Sequence, residues 1–451
     1  MIKSLAFVPI LALMTLGIGA QAAVTLPEIF QDHMILQQGV PLKIWGTAGQ
    51  GGKVTVRFAG QEKSATADAD GNWQVELDPL EASSEPRTLT VAPSTIPPSR
   101  DLRRDTPLII ADVLVGEVWL ASGQSNMVSG VKQVPGDQRR IFTEQKDNKR
   151  VRGFVNGKWY LLSEQALHTS AVGFFFALKL EQTLDVPVGY VVIAQLGSKI
   201  EPFVPPAEAE AARLGNKASD IFTKRIAPVA DYAIKGVIWY QGESNRGADN
   251  YFECLKALHN GWSRAFNMPG LPFYQVQIAP YSKAETRTSL ISDSVWAAQY
   301  RAAREIPGMG IVPLHDAGIH VKQIHPRSKQ PVGERLAALA LKNQYGENVV
   351  TTGPVFSKAV RDGTAARVSF YFVDQGLTTK DGQPPSFFEL SADGKTFVAA
   401  EARIADDQVV VTAGRVATPK FVRMGWFDTA IPNLRDKNGW PAYAFPSQAV
   451  E

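Results

Sequence analysis

The sequence predicts an α/β protein with a parallel central sheet, helices on both sheet faces, and a β-rich region on either side. Three observations predict it. Five short apolar runs, at residues 115–121, 190–195, 236–240, 273–278 and 310–314, read as strands. Helical patterns at 170–184, 252–266, 293–306 and 331–341 lie between or after them, and such alternation builds a parallel sheet covered by helices. Period-two runs occupy the chain before this block and return after about residue 350.

The elements follow in order. Lys3, an apolar run from Leu5 to Gly19 and Ala20-Gln-Ala22 have the form of a signal peptide, expected over 1–23. The run is short for a membrane span and holds Pro9. The mature chain is therefore expected to be exported, to periplasm or medium, with no membrane partner after cleavage. Residues 24–92 alternate in short runs such as Val54-Thr-Val-Arg-Phe58, Trp73-Gln-Val-Glu-Leu77 and Arg87-Thr-Leu-Thr-Val91, which predicts a small β-sandwich. Prolines and charges mark 93–111 as a linker. The α/β domain is expected over 112–345. Its first long helix starts at an N-cap of Thr169 or Ser170, with Pro187 beyond its end. A C-terminal β region is expected over 350–447.

Composition narrows the function classes. The chain is 45% hydrophobic and 20% charged, with a net charge of +3, ordinary for a globular protein and too weakly basic to suggest nucleic acid or an anionic membrane. Its 451 residues can bury a sizeable core. Cys254 is the only cysteine, so no internal disulfide forms, and its helical setting reads as a small buried residue.

Candidate chemistry gathers where strands end. Ser125 follows the run 115–121, where open α/β sheets place their ligands; it is either a nucleophile or a turn serine. Gly197, after the second strand, is a turn glycine or a place where a backbone N–H approaches a developing oxyanion. Gln241-Gly-Glu-Ser-Asn245 follows the third strand, and its polar side chains either donate to the same oxyanion or hold the loop. Residues 314–326 hold His315, His320 and His325, half of the six histidines. His325 precedes a proline and then a helix, a position from which it can serve as general base to a serine. A metal site from His315, Asp316, His320 and His325 lacks a supporting ligand spacing. Gly123-Gln-Ser-Asn-Met127 is not the elbow of an α/β-hydrolase, because the second glycine is missing.

These residues also carry a resemblance. Gly116-Glu-Val-Trp-Leu-Ala-Ser-Gly-Gln-Ser-Asn-Met127, Ser170-Ala-Val-Gly-Phe-Phe-Phe176, Val186-Pro-Val-Gly189, Ile200-Glu201, Lys235-Gly-Val-Ile-Trp-Tyr-Gln-Gly-Glu-Ser-Asn245 and Ile324-His-Pro-Arg-Ser-Lys-Gln330 resemble the sialate O-acetylesterase family of SGNH (GDSL-like) serine hydrolases. The flanks 26–38 and Arg423-Met-Gly-Trp426 with Asn433-Leu434 look like that family's opening and closing β regions. The resemblance implies a three-layer α/β/α SGNH domain and removal of O-acetyl groups from a sugar, with no metal or organic cofactor. It implies Ser125 as nucleophile and His325 as base. The N–H groups of Ser125 and Gly197, with Gln241 or Asn245, would form the oxyanion hole. Gln124, Asn126 and Glu243 would belong to the same site loops.

Three departures stand out against the family pattern. Lys322 and Gln323 occupy the places where many SGNH enzymes carry an acid. The site is then a Ser–His dyad, or Asp316, Gln323 or a backbone carbonyl orients the imidazole. Gly197-Ser-Lys199 stands where Gly-Gly-Thr is common, so Lys199 either meets an acidic substrate or points to water. The segment from Met127 to Ser170 is shorter than is usual in the family. Two alternatives accompany the sialate reading: an acetylesterase of plant polysaccharide such as xylan or xyloglucan, and a carbohydrate-binding protein on a silent hydrolase scaffold. No serine-peptidase motif appears.

Overall fold

The computed structural model describes residues 23–93, 106–215, 218–282 and 293–451. The expected signal segment, apart from its last residue, and residues 94–105 of the expected linker lie outside the described residues. No helix among the described residues is long and apolar enough to cross a membrane.

The chain forms two compact units. The smaller includes residues 44–75 and 89–93. There Lys53–Phe58 pairs antiparallel with Gln61–Thr66, and Val54 to Arg57 also pair with Pro93 to Thr90. Ala59 and Gly60 both have positive φ, 50° and 80°, the sense that a tight two-residue hairpin turn requires. Val54, Val56 and Phe58 are buried. Residues 28–43 and 76–88, expected in the N-terminal β domain, belong instead to the larger unit.

The larger unit is built on a sheet with strand order Met309–Val312, Phe273–Val276, Gly236–Tyr240, Leu108–Gly123, Val188–Ala194, Val151–Val155 and Lys158–Leu161. The pairings along this order are parallel except the last. Five of these strands fall on the five runs read from sequence. Residues 113–123 are buried throughout, as a central parallel strand covered on both faces must be. Glu117 is tolerated there because it accepts from Gln37 Nε2 at 3.0 Å, Gln38 Nε2 at 2.6 Å and the Tyr345 hydroxyl at 2.9 Å.

Among the described residues there are seven α-helices: α1 (Ser125–Val128), α2 (Gly136–Glu144), α3 (Ala171–Leu184), α4 (Pro206–Ala211), α5 (Tyr251–Ala265), α6 (Asp293–Glu305) and α7 (Gln330–Tyr345). Ser170 caps α3, its Oγ accepting from Gly173 N at 3.1 Å, and Asp185 closes that helix with φ 56°. The two faces of the sheet alternate residue by residue. Ile238 and Tyr240 join the core formed with α3 and α7, whereas Trp239 packs edge-to-face on Trp262 of α5, ring centroids 6.1 Å apart. Cys254 is buried in α5, and burial pushes its thiol up to about 12.

The C-terminal part is all β. A four-stranded antiparallel sheet runs Val355–Asp362, Ala365–Tyr371, Gln408–Thr412, Glu401–Ala405, and a second runs Val398–Ala399, Phe388–Ser391, Phe421–Met424, Phe445–Ala449. Their inner faces share one core that includes Val368, Leu390, Val411, Val422 and Phe445.

Candidate active site

The site grows from a register. Gly123 pairs with both Ala194 and Tyr240, so three neighbouring parallel strands end level with one another. The residues just beyond them, Gln124–Ser125, Gly197 and Gln241, come from segments far apart in sequence. Backbone bonds tie the three turns together: Gln124 N donates to Tyr240 O at 3.0 Å and Gln195 N to Gly123 O at 2.9 Å. Gly123 has φ +133°, and a Cβ there would lie 2.2 Å from Tyr240 O. Only glycine lets the central strand turn this close to its neighbour.

Ser125 begins α1, and His325 sits on the segment that leads into α7. Their side chains meet, His325 Nε2 lying 2.8 Å from Ser125 Oγ. That is hydrogen-bonding distance for a nucleophile and its base. Both line a cavity of about 800 Å³, with Leu167, His168 and Leu196 among its walls. Burial pushes the His325 imidazole below its ordinary value, and the charge of Lys329 adds to the effect. Both effects favour the neutral imidazole, the form able to accept a proton.

The oxyanion candidates take different places. Gly197 is exposed, with φ +65°, and among the described residues neither its N–H nor that of Ser125 has a hydrogen-bond acceptor. Gln241 is fully buried; its Nε2 reaches Asn245 Oδ1 at 2.7 Å, Gln124 Oε1 at 3.1 Å and Ser198 O at 3.2 Å. Asn245 Oδ1 also accepts from Ile200 N at 3.0 Å, and its Nδ2 donates to Glu201 Oε2 at 3.1 Å. Gln124 Oε1 accepts from Ser244 N at 3.2 Å. These amides lace the 197–201 turn to the 241–245 turn and to the turn that holds Ser125. Gln241 and Asn245 thus hold the loop through these bonds.

Asp316 is bound away from the imidazole. Its Oδ1 and Oδ2 each lie 2.7 Å from a guanidinium nitrogen of Arg335 on α7, and among the described residues no hydrogen bond joins it to His325. A planar guanidinium matches both carboxylate oxygens at once, which a single imidazole N–H does not. Gln323 is exposed and its N–H donates to His320 O at 2.7 Å. His315 is buried, which pulls its imidazole down to about 4, and His320 is exposed. Among the described residues no three of His, Cys, Asp and Glu are grouped to hold a metal ion. Lys199 is exposed; the basic residues that line the cavity are Lys132, Arg327 and Lys329, with His168 and His325.

Sequence reading did not single out Lys329 or Gln138. Lys329 is 1% exposed and donates to Asn126 Oδ1 at 2.6 Å. Asn126 Nδ2 donates in turn to Glu243 Oε1 at 2.5 Å and to Ile324 O at 3.1 Å. Gln138 of α2 accepts the N–H groups of Lys329 at 3.0 Å and Gln330 at 3.2 Å on its Oε1, and donates to Ser328 Oγ at 2.6 Å. The available signal for Lys329 was its place in the stretch 324–330; its burial had none, since lysines are rarely buried.

Comparison with known proteins agrees with this architecture. A sequence profile described as carbohydrate esterase, sialic acid-specific acetylesterase, matches residues 115–342, just over half of the chain. The chain is 26% identical over 408 residues to a sialate O-acetylesterase of Homo sapiens, covering 76% of this chain and 74% of that one. It is likewise 26% identical over 434 residues to a sialate O-acetylesterase of Rattus norvegicus, covering 76% and 77%. Among solved structures it is similar to a carbohydrate acetylesterase from Xanthomonas citri, with a TM-score of 0.84 and 30% identity, covering 94% of this chain and 99% of that one. With its level strand ends, its facing serine and histidine and this profile across its central sheet, the chain belongs to the sialic acid-specific acetylesterase family of carbohydrate esterases.

Proposed function

We propose that the chain is an exported carbohydrate O-acetylesterase that works through a serine acyl-enzyme, with Ser125 and His325 acting as a dyad. The observation that carries this reading is the 2.8 Å approach of His325 Nε2 to Ser125 Oγ at the wall of an open cavity. His325 takes the hydroxyl proton as Ser125 attacks the acetyl carbonyl. The oxyanion accepts from the N–H groups of Ser125 and Gly197, and the sugar hydroxyl leaves with the proton from His325. Water then repeats the sequence on the acetyl-serine, releasing acetate. Arg335 already takes both oxygens of Asp316, which supports a dyad. Export rests on the sequence of residues 1–23.

Lys132 and Arg327 along the cavity wall favour an O-acetylated acidic sugar such as a sialic acid. One observation favours the second reading, a polysaccharide such as xylan or xyloglucan. A further hollow of about 530 Å³, lined by Asn156, Tyr160 and Gln165, shares His168 with the first, giving room for more than one sugar.

The test is acetate release by the mature protein from O-acetylated sialic acid, acetylated xylan and acetylated xyloglucan, with Ser125→Ala alongside. Release from any of them that disappears in a folded Ser125→Ala protein supports the reading, and the substrate hydrolysed decides between sialate and polysaccharide. Full activity in that variant overturns the serine mechanism. No release from any substrate, a small activated acetyl ester included, favours the silent binding scaffold.

A further inference from the structure

Behind the Ser125–His325 pair lie two buried charged side chains, Lys329 and Glu243, that the acyl-transfer steps do not use. Lys329 precedes α7, with its Nζ 5.2 Å from the centre of the Tyr240 ring. Glu243 lies in the turn after the Gly236–Tyr240 strand, 7% exposed, and its Oε2 has no hydrogen-bond partner among the described residues. Burying either charge alone would cost several kcal/mol. The two are joined through a single side chain, the amide of Asn126, beside the nucleophile. That amide accepts from Lys329 Nζ at 2.6 Å and donates to Glu243 Oε1 at 2.5 Å. It also donates, at 3.1 Å, to the carbonyl of Ile324, the residue before His325. An uncharged amide between two buried charges is polarised by both, and such hydrogen bonds are stronger than neutral ones.

We propose that Lys329 and Asn126 are positioning residues for His325: through one amide, the buried ammonium and carboxylate clamp the Ile324 carbonyl and thereby fix the imidazole beside Ser125. The inference rests on the serine-esterase reading of this site. It supplies an anchor for the histidine where Asp316 is bound elsewhere. The clamp is closed from both sides. Gln138 of α2 holds the N–H groups of Lys329 and Gln330, so the segment from Ile324 to Gln330 is pinned at its start by Asn126 and at its end by Gln138.

The clamp also carries charge. The Lys329 ammonium opposes protonation of His325, in the same direction as burial. Burial pulls Lys329 itself down to about 7, and the Glu243 carboxylate opposes that fall. Burial raises Glu243, against its backbone bonding, the Asn126 bond and the charges of Lys329 and Arg246. Lys132 and Arg327 line the cavity beside His325, and Tyr240 faces Lys329 from the sheet.

The test uses the full mature chain and two variants. Lys329→Met with Glu243→Gln removes both charges together, so neither is left buried alone. Lys329→Gln removes the charge and retains an N–H donor for Asn126. The first measurement is the titration of the His325 ring protons by NMR, assigned by their loss in His325→Gln. The second is kcat and KM on a small acetyl ester. The double variant is expected to raise the His325 midpoint by about half a pH unit or more and to lower kcat on the order of tenfold or more, with KM changed less than about twofold. Lys329→Gln is expected to raise the midpoint similarly while recovering most of kcat, and it carries the titration if the double variant does not fold. A wild-type His325 midpoint in either folded variant, or wild-type kcat in the double variant, overturns the proposal. Repeating the titration on a Ser125→Ala background keeps the two readings apart. Full activity in Ser125→Ala would remove the serine mechanism, while the titration there still reports on the clamp.

Discussion

Asp316 and Arg335 meet fork to fork, with both carboxylate oxygens 2.7 Å from guanidinium nitrogens and with Arg335 Nη1 also 2.9 Å from Pro313 O. The pair joins the segment after the Met309–Val312 strand to α7. Asp316→Asn is therefore expected to lower stability by about 3 kcal/mol, the effect of breaking a nearly buried ion pair. Acetate release by the protein that remains folded should stay within about threefold of wild type, because losing one hydrogen bond remote from the reacting atoms changes rate little. Thermal melting and kcat/KM on the same samples check both. A loss of a hundredfold or more in a fully folded variant would return Asp316 to the catalytic site.

The same pair predicts an acid limit to stability. Burial alone would raise the Asp316 carboxyl, but the hydrogen bonds and charge of Arg335 bring it below its ordinary value. A carboxylate lowered on folding contributes stability that is complete above its unfolded value, about 4. That contribution is lost as pH falls through the lower folded value. Melting temperature in wild type should fall more steeply below pH 4 than in Asp316→Asn.

His325 predicts the shape of the rate profile. Its lowered value shifts the balance toward the neutral imidazole at pH values where an ordinary histidine is half protonated, about 6.5. The acid limb of kcat/KM, which reports the free enzyme's base, should therefore have its midpoint below about 6.5. A midpoint at 7 or above would contradict the environment seen around His325.

Gly123→Ala tests the turn that carries Ser125. The new Cβ would lie 2.2 Å from Tyr240 O in a backbone of φ +133°, so both strain and overlap oppose it. A loss of about 3 kcal/mol or more, or failure to fold, is expected. A soluble, wild-type-like melt would show that the central strand can retreat from its neighbour.

Asn245→Ala tests the lacing of the turns. It removes the acceptor for Ile200 N and Gln241 Nε2 and the donor to Glu201, and so releases the turn that carries Gly197. A fall in kcat of roughly ten- to a hundredfold is expected, since slight displacement of an oxyanion donor has effects of that order. Melting curves separate this from simple unfolding, and kcat should fall more than KM rises.

Much of the fold was legible because its strands are short, apolar and separated by helices. The run at 236–240 is the strand Gly236–Tyr240, and the helical pattern at 170–184 is α3 with Ser170 as its cap. The antiparallel pair Val151–Val155 and Lys158–Leu161 went unread. Its strands are five and four residues long and contain Arg152, Gly153 and Lys158, which breaks any clean alternation. The helix α2 was also missed, because its nine residues, Gly-Asp-Gln-Arg-Arg-Ile-Phe-Thr-Glu, are mostly polar. Of the site, the serine, the histidine and the three strand-end turns stand at legible positions, because small polar residues after apolar runs mark where a parallel sheet ends. The partners of those side chains were not legible, since each lies in a different segment.

The sequence by itself determined the elements, their α/β order, and which turns carry polar residues past the strand ends. Those features depend on local periodicity and on residues near one another in the chain. Only the tertiary structure decided which polar groups meet. It brings Ser125 to His325 across 200 residues, sends Asp316 to Arg335, and sets Lys329 and Glu243 on the two sides of Asn126. The reason is physical: a buried charge or amide must find a partner wherever packing places it, and that placement follows from sheet register and helix docking rather than from any spacing along the chain.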